Sequence, residues 1–405
     1  MSRSTRLLVI TFIESVATVL VERGVMFLTH ARLGFSDSAN LCLALVFGVT
    51  YAAGSLASHV LARRVGERRL VLICLAVQVA VCLAMGAWLN VATVFVGSAL
   101  LAGLAGLKWA VVESYVSAGL EPSQTARAIG RFNVAWSLAV PLALLPTGAI
   151  IVWWHPGLFH ISALLSVASL VLFRALPARP THRELSPGGA EGAAAARRTA
   201  GLLAFSRWQM LGGYSLMWIL AALMPGVFGR LGLDVTEATV AAAVLDLMRM
   251  VSFVLLARTA RWHDRFGPLV LASVLLPAGF LLFVFAPHLA AALAGEALFG
   301  VAAGMLYYAA LYYAMVITNA SVAGGGAHEG LIGLSFIFGP AAGLAGQALA
   351  PALGGSLALG TLVGITPLLA VPAVGAAWAY RRACARPRPH LAEAPDHDVP
   401  TLPRL

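Results

Sequence analysis

The chain has 405 residues, of which 60% are apolar and only 11% are charged, and its mean hydropathy is +0.87. Soluble domains carry roughly a quarter charged residues, so a chain of this composition could not keep its surface hydrated in water. The net charge of +10 lies mostly in short segments between apolar runs, as in membrane-protein loops, and does not indicate nucleic-acid binding. The composition predicts a polytopic membrane protein.

Apolar runs long enough to cross a bilayer recur along the whole chain. A spanning helix needs about 20 mainly apolar residues, and lipid offers no partner for an open strand edge, so each run is predicted to be helical. Glu14 interrupts the first run where a signal peptide would be apolar, so this run is interpreted as an uncleaved span. The twelve predicted spans are Leu7–Leu28, Asn40–Ala62, Leu70–Leu89, Val91–Tyr115, Gly130–Trp153, Gly157–Ala175, Trp208–Gly229, Ala238–Ala260, Pro268–Ala286, Leu289–Ile317, Leu331–Ala352 and Leu357–Tyr380.

The positions of the basic residues predict the orientation of these spans. With the N-terminus inside, the inner loops and their flanks hold 22 of the 27 Lys and Arg residues, whereas the outer loops hold only Arg32 and Arg230. This bias predicts that both termini are cytoplasmic. Lys108 is the sole lysine, and such a preference for Arg favours a bacterial chain, so the expected location is the bacterial inner (plasma) membrane.

A segment rich in Pro, Gly and Ala divides the spans into two sets of six. Residues 177–205 are predicted to form a flexible cytoplasmic linker. Residues 1–176 and 206–380 are then an N-terminal and a C-terminal six-helix bundle, and residues 381–405 are a disordered cytoplasmic tail. The predicted fold is all-α, with two pseudo-symmetric membrane bundles.

Two short turns repeat between the halves. Arg64 and Gly66 follow the second span, and Arg265 and Gly267, preceded by Asp264, follow the eighth span 201 residues later. A second similarity, between spans four and ten, has nearly the same offset, 198 residues. Two landmarks in register indicate a duplicated protein. These five residues are called the paired turns.

The paired turns, the twelve spans and the long central loop together resemble the major facilitator superfamily over about residues 7 to 380. The signature of that family reads G-x-L-x-D-R-x-G-R-[RK]; Arg63 stands where the family has the acid. The resemblance implies two bundles that expose a site near the bilayer midplane alternately to each side, with the paired turns as gates. The chain is also expected to act as a monomer and to need no cofactor.

Five charged side chains within the spans are candidates for proton or ion coupling, because a charge at mid-bilayer costs at least about 2.5–3.5 kcal/mol. Glu22 and Arg23 are adjacent and point about 100° apart, so Glu22 is either a protonation site or part of an inter-helix ion pair. Asp246 and Arg249 share a helix face. They form either a self-neutralising pair or a pair that protonation opens, freeing Arg249 for an anionic substrate. Glu296 has no base on its own helix, which suits a proton carrier unless it lies near the outer surface.

Polar and aromatic side chains in spans four, seven and ten predict a substrate cavity, since the resemblance implies that spans one, four, seven and ten line the centre. Lys108 either faces substrate or extends to the inner interface. An aromatic cavity with polar groups suits sugars, organic anions or drug-like compounds. The predicted lining residues are Lys108, Trp109, Tyr214, Trp218, Tyr308 and Tyr312.

These observations predict a secondary active transporter of a small molecule, with protons as the coupling ion. The chain has no G-x-x-x-x-G-K-[ST] motif for an ATP-driven motor, and no cysteine spacing indicates a metal. Its partners would be a small-molecule substrate, the lipid bilayer and protons, without nucleic acid. One alternative is a transport-inactive sensor or scaffold, which Arg63 leaves open. Another is a membrane-embedded lipid-modifying enzyme, which the scattered histidines disfavour.

Overall fold

The computed structural model describes residues 2–116, 120, 122–180, 193–318 and 322–385. Apart from turns, this part of the chain is helical, with one short 3-10 helix at Pro351–Leu353. The α-helices of the described residues are α1 Arg3–Glu22, α2 Gly24–Leu33, α3 Asp37–Val65, α4 Glu67–Ala87, α5 Val91–Val116, α6 Pro122–Trp154, α7 Gly157–Phe173, α8 Ala193–Arg230, α9 Val235–Arg258, α10 Gly267–Val284, α11 Leu289–Thr318, α12 Val322–Leu349 and α13 Leu357–Cys384.

All twelve predicted spans are confirmed as helices, with α1 and α2 forming the first span. Eleven of the described helical segments are long and apolar enough to cross a membrane, and α7, with 17 residues, is the shorter twelfth. The predicted linker is too long at its end, because α8 begins at Ala193, within a run of four alanines that favours helix. Likewise α13 continues to Cys384, past the predicted start of the tail. Residues 181–192 and 386–405 lie outside the described part of the chain.

The outer surface of the helical body is apolar. Leu56, Leu164 and Val374 are each about 70% exposed, and many other large apolar side chains are exposed with them. Charged residues of the spans, such as Asp246, are buried instead. A surface of this kind is stable against lipid and unstable in water, which agrees with a multi-pass membrane protein.

The two halves, α1–α7 and α8–α13, meet along two helix pairs, α3 with α12 and α6 with α9. Small residues allow this close approach. A Cβ on Gly48 of α3 would lie 2.3 Å from the Phe336 carbonyl oxygen of α12. Within the first half, a Cβ on Gly106 of α5 would lie 2.3 Å from the Tyr51 carbonyl oxygen of α3. Because α3, α12, α6 and α9 form the contacts between the halves, α1, α5, α8 and α11 lie around the centre of the helical body.

The paired turns lie on the face that also carries the start of α1 and the end of α13, which is called the terminal side. Gly66 ends α3 with φ 93°, and Asp264 has φ 54°. The Asp264 carbonyl oxygen accepts hydrogen bonds from Nε and Nη2 of Arg198 at 2.9 and 2.7 Å, and its N–H donates to Tyr313 Oη at 3.1 Å. The second turn is therefore held by its backbone within its own half. Arg265 and Gly267 of the second turn are exposed, and so is Arg64 of the first turn.

Candidate functional site

A cavity of about 140 Å³ lies between the two halves at the level of Arg23, where the first span is interrupted between α1 and α2. It is called the central cavity. Side chains of α1, α3, α5 and α6 from the first half and of α8, α9, α11 and α12 from the second contribute to its wall. The polar and aromatic side chains of this wall are Ser15, Thr18, Glu22, Arg23, Tyr51, Trp109, Glu113, Phe132, Trp136, Tyr214, Trp218, Arg249, Tyr307, Glu329 and Phe336.

Asp246 joins two arginines from different halves. Its Oδ1 lies 2.6 Å from Arg249 Nη2, one helical turn away on α9, and its Oδ2 lies 3.3 Å from Arg23 Nη1 of the first half. All three side chains are buried. The other terminal nitrogens of the two arginines face sulfur atoms: Arg23 Nη2 lies 3.3 Å from Met224 Sδ, and Arg249 Nη1 lies 3.4 Å from Met217 Sδ. This charge bridge (Arg23, Asp246, Arg249) therefore combines the predicted pair on α9 with a cross-half ion pair.

A second polar group contains three carboxyl side chains, Glu22, Glu113 and Glu329. Glu113 and Glu329 come from different halves and hydrogen-bond to each other through their side chains. Such a bond requires a proton on one of them, because an ionised carboxylate can only accept. Tyr51 Oη donates a further hydrogen bond to Glu329 Oε2. Glu22 faces the same cavity and is only partly buried. These three residues are called the carboxyl trio.

Aromatic rings form much of the remaining wall. The rings of Trp218 and Phe336 are 4.1 Å apart between centroids, and Tyr214 stacks on Tyr307 at 5.4 Å. The Arg249 guanidinium lies over Trp136, 4.8 Å from the ring centroid. The buried Trp218 Nε1 in this wall has no hydrogen-bond partner among the described residues. Since buried polar atoms are normally paired, this N–H group points to a ligand or ordered water in the cavity.

Lys108 does not line the central cavity, although its neighbour Trp109 does. Its ammonium group pairs with Glu14 Oε1 and donates to Gln78 Oε1 at 2.5 Å. Gln78 Nε2 in turn donates to Glu14 Oε1 and Ser166 Oγ, each at 2.7 Å. Adjacent residues of a helix point about 100° apart, and here Trp109 faces the cavity while Lys108 points into the first half. Lys108 belongs to a buried polar cluster inside the first half, and neither predicted alternative describes it.

Tyr308 and Tyr312 also lie outside the central cavity. They contact Trp262, with ring centroids 5.6 and 5.2 Å away, and line a separate groove of about 590 Å³ on the terminal side. This terminal groove runs between the first half (α1 and α6) and the second half (α9, its following turn and α11). Tyr307 takes the position in the central cavity that Tyr308 was predicted to have.

Of the predicted coupling residues, Glu22, Arg23 and Arg249 line the central cavity, and Asp246 holds the two arginines. Glu296 is fully buried in α11, and neither carboxylate oxygen has a hydrogen-bond partner among the described residues. It is not part of the cavity wall. The ion pair between helices is made by Arg23 and not by Glu22 within this part of the chain.

Several lining residues were not among the predicted cavity residues, including Tyr51, Glu113, Trp136 and Glu329. One signal was available, because Glu113 follows Trp109 by four residues and therefore shares its helix face. Glu329 was expected at the entry to the eleventh span, two residues before its predicted start at Leu331, whereas its helix begins earlier, at Val322.

The contacts between the halves differ on the two sides. On the side opposite the terminal side, Arg230 Nη1 lies 3.3 Å from Asp37 Oδ2, and the Gly148 N–H donates to Thr239 Oγ1 at 3.0 Å. On the terminal side, the hydrogen bonds of the described turns join segments of the same half, as for Arg68 and the Leu176 carbonyl oxygen. The halves are thus tied together on the opposite side and separated by the groove on the terminal side.

Two helical halves that enclose a polar cavity within a membrane-spanning body define a membrane transport protein. The sequence profile of the Major Facilitator Superfamily matches residues 8–340. The chain therefore belongs to this superfamily, as its paired turns predicted. A search of curated protein sequences finds no significant match.

Solved structures with a similar fold are transporters. A variant of the nucleoside transporter NupG aligns with a TM-score of 0.65 at 12% identity, over 94% of this chain and 98% of that one. A bacterial homolog of the human lysosomal transporter Spinster, inward-facing and unoccupied, has a TM-score of 0.62 at 16% identity, with 94% and 97% covered. The human organic anion transporter MFSD10 has a TM-score of 0.64 at 15% identity, with 94% and 100% covered. At these identities the likeness shows the fold alone.

Proposed function

We propose that this protein is a proton-coupled secondary transporter, which moves a small organic molecule by exposing the central cavity alternately to the two sides of the membrane. The observation that carries the proposal is the charge of the cavity. The carboxyl trio and Asp246 supply four acidic groups, whereas the charge bridge supplies two guanidinium groups.

Two excess negative charges inside a membrane are costly, and proton uptake by the carboxyl trio removes this cost. The hydrogen bond between Glu113 and Glu329 accounts for one proton, and Glu22 is the acceptor for another. Because Glu113 and Glu329 come from different halves, loss of their shared proton would drive the halves apart by repulsion. Proton binding is thereby coupled to the movement of the halves.

The wall of the cavity supports a substrate with an aromatic or apolar body and a positive or hydrogen-bond-donating group. Aromatic faces attract such molecules by stacking and cation–π contact, and the carboxyl trio attracts positive charge. Drug-like amphipathic compounds fit this description best. Nucleosides, which NupG carries by name, share the aromatic body, whereas the organic anions named for MFSD10 do not suit the excess of carboxyl groups.

The contacts between the halves support a state that is open toward the terminal side and closed on the opposite side. Because arginines are concentrated on the terminal side, we assign that side to the cytoplasm, in a bacterial inner membrane, with the protein acting as a monomer. The charge bridge then closes the path to the outside, and its Arg23–Asp246 pair must separate for the cavity to open outward.

The test is transport by purified protein in liposomes. Ethidium, uridine and fluorescein serve as probes for an aromatic cation, a nucleoside and an organic anion, with binding first measured by thermal shift. A compound that binds should accumulate only with an imposed pH gradient, and a protonophore should abolish accumulation. Glu329→Gln should remove the dependence on the gradient. Glu237→Gln is the matched control, because Glu237 is exposed in the capping box of α9, where Gln also functions. The proposal is contradicted if a compound binds but its uptake does not depend on the pH gradient.

A further inference from the structure

The terminal groove has a distinct chemistry that transport through the central cavity does not use. Three of its lining side chains are guanidinium groups: Arg127 and Arg131 from α6, and Arg258 from the end of α9. All three are exposed, and among the described residues none forms an ion pair with a carboxylate. Positive charge is therefore gathered from both halves of the protein without a counter-ion among the described residues.

Neutral hydrogen-bonding groups lie beside this charge. Tyr308 is only 3% exposed, yet its hydroxyl reaches the groove next to Gly130, where an added Cβ would lie 3.0 Å from Tyr308 Oη. No hydrogen bond joins this hydroxyl to the described residues. The His263 imidazole stacks on the Tyr312 ring with centroids 4.6 Å apart. Partial burial lowers the pKa of His263, against the opposing effect of Asp264, so the imidazole is neutral near pH 7 and offers a donor and an acceptor.

The remainder of the groove is apolar except for Thr259, and includes Leu8, Val134 and Leu256. Arg127 and Arg131 lie near the N-terminal end of α6, and Arg258 is the last residue of α9. The guanidinium groups thus lie at the ends of two spanning helices on the terminal side, and the apolar wall continues along the same helices. An anionic group bound by the arginines would have apolar surface directly next to it.

We propose that the terminal groove is a binding site for a phosphate group that carries net negative charge. Arg127, Arg131 and Arg258 bind the phosphate oxygens, because planar guanidinium groups match the geometry of a phosphate, and the Tyr308 hydroxyl donates to one of them. The source of the phosphate is either an anionic lipid headgroup, whose chain follows the apolar wall, or a soluble phosphate ester. The site is separate from the central cavity, and phosphate binding there can be measured without transport.

The experiment compares two probes on the purified full-length protein. Dioleoyl phosphatidic acid is added in detergent, with phosphatidylcholine as the zwitterionic reference, and bound lipid is counted by native mass spectrometry. Glycerol 3-phosphate is titrated at constant ionic strength, and tryptophan fluorescence is followed, since Trp262 contacts both Tyr308 and Tyr312. A Trp262→Phe variant assigns the signal. Binding of lipid alone identifies a headgroup site, and binding of both probes identifies a phosphate site open to either source.

Two sets of variants test the residues. Replacing Arg127, Arg131 and Arg258 together by Gln should weaken binding of the active probe by at least about tenfold, because each lost charge-assisted contact is substantial. The control variant replaces three other exposed arginines near the terminal side by Gln, and should bind as the wild type does: Arg63, Arg69 and Arg261.

Tyr308→Phe preserves the charge and the fold while removing one donor, and should weaken binding several-fold. The proposal is overturned if neither probe binds the wild type, or if the groove variant and the control variant lose the same affinity. The second result would mean that binding follows overall surface charge.

Discussion

Neutralising Asp246 should destabilise the protein strongly. Asp246→Asn keeps the shape of the side chain but leaves the Arg23 and Arg249 guanidinium groups buried beside a neutral amide. Breaking a buried ion pair by removing one partner costs about 3–5 kcal/mol. At about 2–4 °C per kcal/mol for a larger domain, the melting temperature should fall by roughly 6–20 °C. Thermal unfolding in detergent, followed by fluorescence, measures this fall.

Glu296→Gln is the matched control, because Glu296 is equally buried in the second half but has no ion pair among the described residues. It should leave the melting temperature unchanged or raise it, since a buried unpaired acid is replaced by a neutral group. A fall of less than about 2 °C in Asp246→Asn, below about 1 kcal/mol, would refute the charge bridge as a structural element.

The same bridge should also bias the protein toward the state closed on the opposite side. Arg23→Gln removes only the cross-half bond and leaves the pair of Asp246 and Arg249 intact. Loss of a charge-assisted hydrogen bond of about 1.5–3 kcal/mol shifts the equilibrium toward the outward-open state by roughly ten- to hundredfold. The shift should appear as faster labelling of Ala221→Cys, in the cavity wall, by an impermeant maleimide added from the opposite side.

That labelling needs a background without the four native cysteines, Cys42, Cys74, Cys82 and Cys384. Arg32→Gln is the control, because Arg32 on α2 donates to the Ile151 and Val152 carbonyl oxygens within the first half. Equal labelling rates in both arginine variants would show that the cross-half bond does not set the conformational balance.

Three further variants test other parts of the structure. Glu22→Gln should abolish accumulation driven by a pH gradient yet leave substrate exchange, measured in liposomes; equal accumulation by the variant would contradict a coupling role. Gly106→Ala should cost about 1–3 kcal/mol by overpacking α5 against α3, whereas Gly267→Ala, with nothing within 4 Å of its new Cβ, should be tolerated in the same thermal assay. Lys108→Met should cost about 3–5 kcal/mol because it leaves Glu14 charged and buried, and adding Glu14→Gln should recover most of that loss; failure of this recovery would disprove the pairing.

The number of spans and their division into two halves could be predicted because both depend on local sequence properties. Apolar length sets whether a segment crosses lipid, and the arginine bias depends only on which loop a residue occupies. The family could be predicted from the paired turns because their residues match a short contiguous sequence pattern. Helix ends were less accurate, as for α8 and α12, because a helix can continue beyond the apolar run through polar and small residues, whose low hydropathy ends the predicted span.

The candidate site could be predicted only in part. Residues with unusual chemistry inside spans, such as Glu22 and Arg249, were found because charge is costly in lipid wherever its partner lies. The partner itself was not identifiable, and Arg23 reaches Asp246 across 223 positions of sequence. Lys108 and Tyr308 were assigned to the wrong surroundings, because sequence places a residue on a helix but does not fix the rotation of that helix.

The sequence by itself determined that this is a multi-pass helical membrane protein of a transporter family, since hydrophobic length and charge distribution act segment by segment. Tertiary structure alone decided which charged and aromatic side chains share one cavity. Helix rotation and the close approach of α3 to α12 bring Glu329 to Glu113 and leave Lys108 inside the first half. These side-chain positions follow from packing between segments that are distant in sequence, and no local sequence pattern predicts that packing.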